Sequence, residues 1–279
     1  MAEVDSPLRE VRVRARQPAA PPRRLRRLAA LDEPRRPRRL LRLPLGPHVD
    51  DITPVNLDGW QPILEQHNLT PDFINQISGN PHDHPTLARH EIDRATRLIP
   101  FIYQQATADH PDVRTWADSL ITTTRAQPGH IVPKIGRHRS LLLLGPTGVG
   151  KTYQAYGALR YLTPTGIRLA WLAATSADLY ANLRPRTGID GETEFRRYAH
   201  APLLLIDDLG AAKVTEFTED VNFRLINHRY ENQLPTIFTS NVLPKELAER
   251  VGDRVASRLI QMCDRVVIQG QDRRRQVAA

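Results

Sequence analysis

The chain has 279 residues, 40% of them apolar, which is enough for a sizeable core in one large domain or in a core domain with a smaller one. Cys263 is the single cysteine, and this excludes a disulfide framework and a cysteine zinc site. The net charge is +8, no apolar run reaches the roughly 18 residues of a membrane span, and no hydrophobic leader precedes a cleavage site, so we expect a soluble, non-secreted, cytoplasmic protein.

The first 47 residues form a basic tail rich in arginine and proline. Residues 1–45 hold 13 arginines against five acidic residues, and the other 26 basic and 26 acidic residues of the chain cancel. Proline at this density removes backbone donors, so we expect disorder. The tail is interpreted as an electrostatic arm for DNA or RNA. A solvated tail, or residues upstream of the true translation start, are the alternatives.

Residues 48–128 carry helical signals and predict a small helical module. Thr70 followed by Pro71 is a helix start, and Asp112 is a candidate cap for a later helix. Apolar residues between positions 92 and 106 follow three-and-four spacing in a helix that Pro100 should kink. A cluster in the same region could ligate a metal, although a polar loop leading into a helix explains it as well. Its members are His82, Asp83, His84 and His90.

After residue 138, short apolar runs alternate with helical stretches. The runs span residues 141–144, 168–173, 203–206, 235–239 and 266–268. Continuous apolar strands separated by helices indicate a parallel sheet covered on both faces. We therefore predict an α/β domain over residues 129–279.

The segment GPTGVGKT, directly after the first run, has the pattern of a phosphate-binding loop. Its glycines let successive N–H groups point at phosphate oxygens, its lysine neutralises them, and its threonine hydroxyl can coordinate Mg²⁺. The motif therefore predicts binding of ATP and Mg²⁺. The residues of the loop are Gly145, Pro146, Thr147, Gly148, Val149, Gly150, Lys151 and Thr152.

Polar residues end the later apolar runs. Asp207 and Asp208 follow one run, where the first carboxylate can hold Mg²⁺ together with Thr152 and the second can polarise an attacking water. Asn241 follows the next run and can hydrogen-bond both the γ-phosphate and that water.

Arg254 and Arg258 lie four residues apart on a predicted helix and therefore project from one face. An arginine here can reach the nucleotide of a neighbouring subunit and stabilise charge in the transition state. We assign this role to Arg258 and a surface ion pair to Arg254.

Together these segments resemble the AAA+ ATPases of the DnaC/DnaI helicase-loader clade, which also holds the IstB-type transposition helpers. The resemblance covers residues 138–275 and rests on GPTGVGKT, LLLIDDLG, TEFTEDVNFRLINHRYENQLPTIFTSNV, LAERVGDRVASRL and GQDRRR. It implies a P-loop AAA+ fold with these roles: Walker A at Lys151 and Thr152, Walker B at Asp207 and Asp208, sensor 1 at Asn241, an arginine finger at Arg258, and Arg274 as a weak candidate for a second sensor.

The resemblance further implies an ATP hydrolase that self-associates and deposits a replicative helicase on single-stranded DNA, with residues 48–128 gripping the helicase. Many AAA+ motors have Glu where Asp208 stands, so we expect slow, switch-type turnover. The candidate DNA contacts are Tyr180, Arg184, Arg186, Arg196 and Arg197. One alternative is an IstB-like helper that binds duplex DNA and recruits a transposase. Another is a nucleotide-gated DNA-binding protein whose basic tail does the binding.

Overall fold

The structure is a computed structural model of the chain. It describes residues 54–78, 80–127, 130–185, 188, 190–242 and 246–272, with backbone alone for 123–127 and 130–132. The basic tail and the predicted positions Arg186 and Arg274 lie outside the described residues.

The first part of the described chain is helical and ends in a hairpin. Its elements are α1 (Gln61–Gln66), α2 (Pro71–Ile74), α3 (His84–Leu98), α4 (Pro111–Ser119), β1 (Ile121–Gln127) and β2 (His130–Ile135), the two strands pairing antiparallel. The hairpin was not predicted, although the β-branched run ITTT at its start favours a strand.

The caps of these helices confirm one prediction and correct two. Thr70 caps α2, because its hydroxyl accepts a hydrogen bond from Phe73 N at 3.1 Å. The α3 helix ends at Leu98 instead of kinking at Pro100, because the residue before a proline disfavours helical geometry. His110 caps α4, so the prediction of Asp112 as the cap was wrong by two residues.

Five parallel strands then alternate with helices, which confirms the predicted α/β sheet. The order across the sheet is β4-β5-β6-β3-β7. The strands are β3 (Ser140–Leu144), β4 (Trp171–Thr175), β5 (Leu203–Asp207), β6 (Thr236–Ser240) and β7 (Cys263–Val267), and the helices are α5 (Lys151–Leu162), α6 (Ser176–Leu183), α7 (Gly191–Ala199), α8 (Glu216–Glu231), α9 (Leu247–Val251) and α10 (Asp253–Met262).

Two strands differ in their bounds from the prediction by more than one residue. β4 starts at Trp171, three residues later than predicted, because Ala170 N donates to Arg168 O at 3.1 Å in a local turn just before the strand. β7 starts at Cys263, which pairs with Ser140, whereas the sequence predicted a strand over 266–268.

Alternate side chains of the strands enter two separate hydrophobic clusters, one on each face of the sheet. Leu141 and Leu143 join α5 and the helices of residues 57–120 in the first cluster. Leu142 and Leu144 join α6, α7, α8, α9 and α10 in the second. The helix after the phosphate-binding loop and the helix of Arg258 therefore lie on opposite faces.

The outer face of α5 is covered by the preceding helical region. Arg160 is 1% exposed, donates hydrogen bonds to Ala106 O at 2.6 Å and to Gly59 O, and lies 4.6 Å from the ring centre of Trp60. The proposed division between residues 128 and 129 stays a prediction, and it falls between β1 and β2. Within the described residues, no helix combines the length and apolar character that crossing a bilayer requires.

Candidate nucleotide-binding site

The loop between β3 and α5 is shaped by glycines in left-handed geometry. The φ angles are +152° at Gly145, +84° at Gly148 and +100° at Gly150, values that other residues rarely adopt. A Cβ at Gly145 would lie 2.2 Å from the carbonyl oxygen of Ile268. The loop therefore curls tightly onto the N-terminus of α5, where unpaired N–H groups favour an anion.

Lys151 lies inside this curl. Its side chain is 5% exposed, and Nζ donates to the carbonyl oxygens of Gly145 at 2.9 Å and of Pro146 at 2.7 Å. The ammonium group is therefore held within the loop that would surround the phosphates, which is the position needed to neutralise them.

Asp207, at the end of β5, contacts the loop through Thr152. The Thr152 hydroxyl lies 2.9 Å from Oδ1 and 3.1 Å from Oδ2 of Asp207. Burial raises the pKa of Asp207, with Asp208 adding to the effect, while hydrogen bonds from Thr239 and Thr152 and the charge of Lys151 oppose it. A hydroxyl and a carboxylate in contact beside a phosphate loop are a donor set that fits Mg²⁺.

Thr239 was not among the predicted site residues, yet it connects both aspartates. It is fully buried in β6, donates to Asp207 Oδ1 at 2.5 Å and accepts a hydrogen bond from Asp208 N at 2.9 Å. Asp208 has a φ of +55°, and its carboxylate receives no hydrogen bond from the residues that the structure describes. The position of Thr239 at the carboxyl end of β6, directly before Ser240 and Asn241, was the available signal.

Asn241 is exposed and follows β6 directly. β6 lies between β3 and β5, with Ser240 opposite Leu144 and Phe238 opposite Ile206. Since the carboxyl ends of parallel strands share one edge, Asn241 shares that edge with the loop and the aspartates.

Arg258 is not part of this cluster. It projects from α10 onto α8, where it contacts Asn227 and Phe223. Both helices pack on the face of the sheet opposite to α5.

The predicted DNA contacts have mixed outcomes. Tyr180 is 5% exposed and donates to Asn222 Oδ1 at 2.8 Å, so the prediction of Tyr180 as a DNA contact was wrong. Arg196 and Arg197 are exposed but form ion pairs with acidic residues of their own helix. Arg184 is exposed and lies 5.9 Å from the ring centre of Phe217.

The predicted histidine cluster does not converge. His84 contacts Pro164 O at 2.7 Å, His82 contacts Arg168 at 3.0 Å, and His90 lies 3.7 Å from Glu91. Over the described ranges, no three potential ligands group as a metal site would require.

Comparison with known proteins gives matches to ATP-binding proteins of insertion sequences and to proteins of DNA replication. The family model described as "IstB-like ATP binding protein" matches residues 90–278. The ATP-binding protein of insertion sequence IS5376 from Geobacillus stearothermophilus is 34% identical over 123 residues, 43% of this chain and 47% of that protein. The replicative helicase loader DnaI of Bacillus subtilis (strain 168) is 30% identical over 115 residues, 40% of this chain and 36% of that protein.

The chain thus spans less than half the length of either relative. The crystal structure of DnaI matches with a TM-score of 0.51 and 22% identity, over 64% of this chain and 99% of that chain, and supports the AAA+ fold.

Proposed function

Since the chain belongs to the family of IstB-like ATP-binding proteins, we propose that it is an ATP-dependent loader that self-associates and deposits a replicative helicase on single-stranded DNA. The helicase role extends to this chain what its relative DnaI is named for. The observation that carries the proposal is an apolar surface on residues 98–102, fixed directly to the helix that begins at the phosphate-binding loop.

In the proposed reaction, residues at the carboxyl edge of the sheet hold ATP and its metal ion. Lys151 and the loop N–H groups neutralise the phosphates, and Thr152 and Asp207 hold Mg²⁺. The bound ion supplies charge neutralisation of the phosphates. Asp208 polarises the attacking water, and Asn241 orients it against the γ-phosphate. The short side chain of Asp208 has further to reach, which supports slow turnover that suits a switch.

The partner surface lies just after α3. Leu98, Phe101 and Ile102 are 52%, 85% and 73% exposed, and adjacent large apolar side chains in water mark protein contact sites. Tyr103 stacks on Tyr156 of α5 with ring centres 4.8 Å apart, so the surface is anchored to the helix of Lys151. A partner bound here contacts residues next to Tyr103, whose ring lies on the nucleotide-binding helix.

The proposal is tested by co-purification of the chain with the replicative helicase of its host, with ATP and with a non-hydrolysable analogue. We expect a complex that the double variant Phe101→Ser/Ile102→Ser weakens at least roughly tenfold while ATP turnover is kept. Ile77→Ser, at a 57% exposed apolar residue between α2 and α3, is the matched control and should bind normally. Absence of any helicase complex with the unaltered chain would contradict the proposal.

A second candidate is a transposition helper on duplex DNA. It is favoured by the family model and by the 34% identity to the insertion-sequence protein. The same assay with a transposase, on duplex in place of single-stranded DNA, separates the two. ATP-dependent capture of the transposase together with failure to bind the helicase would select the helper.

A further inference from the structure

Arg258 is held against α8 by two different contacts. Its Nε donates to Asn227 Oδ1 at 2.6 Å, and its guanidinium carbon lies 5.1 Å from the ring centre of Phe223. Nη1 also makes a long contact of 3.3 Å with Arg254 O. Among the described residues, Nη2 has no hydrogen-bond partner, so the guanidinium is fixed through Nε and one face while one end stays available.

The orientation of the Asn227 amide follows from its second contact. Asn227 Nδ2 lies 2.8 Å from Glu231 Oε1, one helical turn further along α8. A carboxylate can only accept, so the amide nitrogen must face Glu231 and the carbonyl oxygen must face Arg258. Glu231 therefore holds the Asn227 amide in the one orientation in which its oxygen can accept a hydrogen bond from Arg258 Nε.

Arg258 and Asn227 lie too far from the nucleotide site of their own chain for Arg258 to act there. α8 begins after the carboxyl end of β5 and runs back toward the amino end of β6, so Asn227 lies about 16 Å along the helix from its start. α10 ends where β7 begins, at that same amino edge, and both helices lie on the face opposite to α5. An arginine placed here can serve only a nucleotide that another molecule brings to it.

We propose that three positioning residues, Asn227, Glu231 and Phe223, hold Arg258 in place. So held, Arg258 is ready for the terminal phosphate of a triphosphate bound to a second copy of this chain. This inference rests on the proposed ATP-dependent self-association. Arg254 also lies over Phe223, at 5.8 Å, but does not contact Asn227. The asparagine thus distinguishes the two arginines of the helix.

The test is complementation between subunits. Asn227→Leu keeps the volume but removes the acceptor, and it should lower kcat for ATP by about 10- to 100-fold while nucleotide affinity stays the same. Asp208→Asn should be inactive but retain a correctly held Arg258. An equal mixture should recover about a quarter of unaltered turnover, because one contact in four joins an intact arginine to an intact site. A loss of stability confined to the altered subunit would not recover in this way.

Four further variants complete the experiment. Phe223→Leu should lose turnover and recover in the mixture as Asn227→Leu does, and Asn227→Asp, which restores an acceptor, should keep most turnover. Arg254→Ala is the matched control and should remain within a few-fold of the unaltered chain. If Arg258→Ala recovers with Asp208→Asn while Asn227→Leu does not, the positioning role is overturned alone. If neither recovers, action between subunits is wrong, and the positioning role is overturned with it.

Discussion

At the scale of single residues, the site holds a carboxylate, that of Asp207, where burial disfavours the charged form. Asp207 is held at the end of β5 in an environment that raises its pKa, and the hydroxyls of Thr152 and Thr239 both donate to Oδ1. The charged carboxylate is therefore costly for the fold, and in the proposed function its role would be to hold Mg²⁺.

Asp207→Asn separates the cost of the buried charge to the fold from the need for a metal ligand. The amide oxygen can still accept from both threonine hydroxyls, and the buried charge is removed, so thermal unfolding should occur at the same temperature or up to about 4 °C higher. ATP turnover should fall by at least about 100-fold, because the ligand to the metal is weakened. Calorimetry and a phosphate-release assay measure the two effects.

Asp264→Asn provides the matched control for this substitution. Asp264 is about half exposed and forms a surface ion pair with Arg139 at 2.6 Å. Its substitution should leave ATP turnover unchanged and should change the free energy of unfolding by at most about 1 kcal/mol. A drop of several degrees for Asp207→Asn, with the control unchanged, would show that the carboxylate stabilises the fold.

At the scale of elements, α8 is attached to the sheet by a buried cation that has no acidic partner in the described part of the chain. Arg229 is fully buried, and burial lowers its pKa to about 9. Its guanidinium donates to three carbonyl groups at the end of α7 and just beyond it, and to the carbonyl and hydroxyl groups of Pro235 and Thr236 before and within β6. One side chain thus satisfies five acceptors and joins three elements.

Arg229→Leu should therefore be severe. Several carbonyl groups would lose their donors in a site that water does not reach, so the free energy of unfolding should fall by at least about 3 kcal/mol. Arg224→Leu is the control on the same helix. It removes an exposed arginine that pairs with Glu192 at 2.8 Å, and it should cost at most about 1 kcal/mol. Urea unfolding followed by circular dichroism measures both, and equal losses would contradict the role of Arg229.

The elements that could be predicted from sequence are those whose signal is local. The five strands are short apolar runs, the phosphate-binding loop is contiguous, and Asp207 and Asp208 directly end a strand. The packing of the residues before β4 could not be predicted, because Leu169 accepts its hydrogen bond from Arg94, 75 residues away in the chain. Tyr180 was placed wrongly for the same reason, since its partner Asn222 is 42 residues away.

The candidate site divides in the same way. The motif residues carry their own signal, whereas the contacts that align them do not. Thr239 meets Asp207 across 32 positions, and Asn227 meets Arg258 across 31. A threonine in a strand and an asparagine in a helix are ordinary residues until tertiary packing brings such partners together.

At the scale of the whole molecule, α5 is a buried helix between the sheet and the preceding helical region. Ten of its twelve residues are buried, including Lys151 at its start and Leu162 at its end. Gly157 permits the closest approach, since a Cβ there would lie 2.3 Å from the carbonyl carbon of Thr107. The helical region and the sheet share one hydrophobic cluster, so we expect residues 57–268 to unfold together.

Gly157→Ala tests this packing. Alanine favours a helix over glycine by up to about 1 kcal/mol, but its methyl group would meet main-chain atoms that cannot rotate away. The resulting shift of the helical region should lower the free energy of unfolding by about 1 to 3 kcal/mol, measured by urea unfolding.

Gly191→Ala is the matched control, because Gly191 is the first residue of α7 and the nearest atom to its Cβ would be Leu183 O at 3.4 Å. It should leave stability unchanged or slightly raised. If Gly157→Ala matched this control, the helical region would be only loosely packed on α5. A partner bound at Phe101 and Ile102 would then have no rigid route to the phosphate-binding loop.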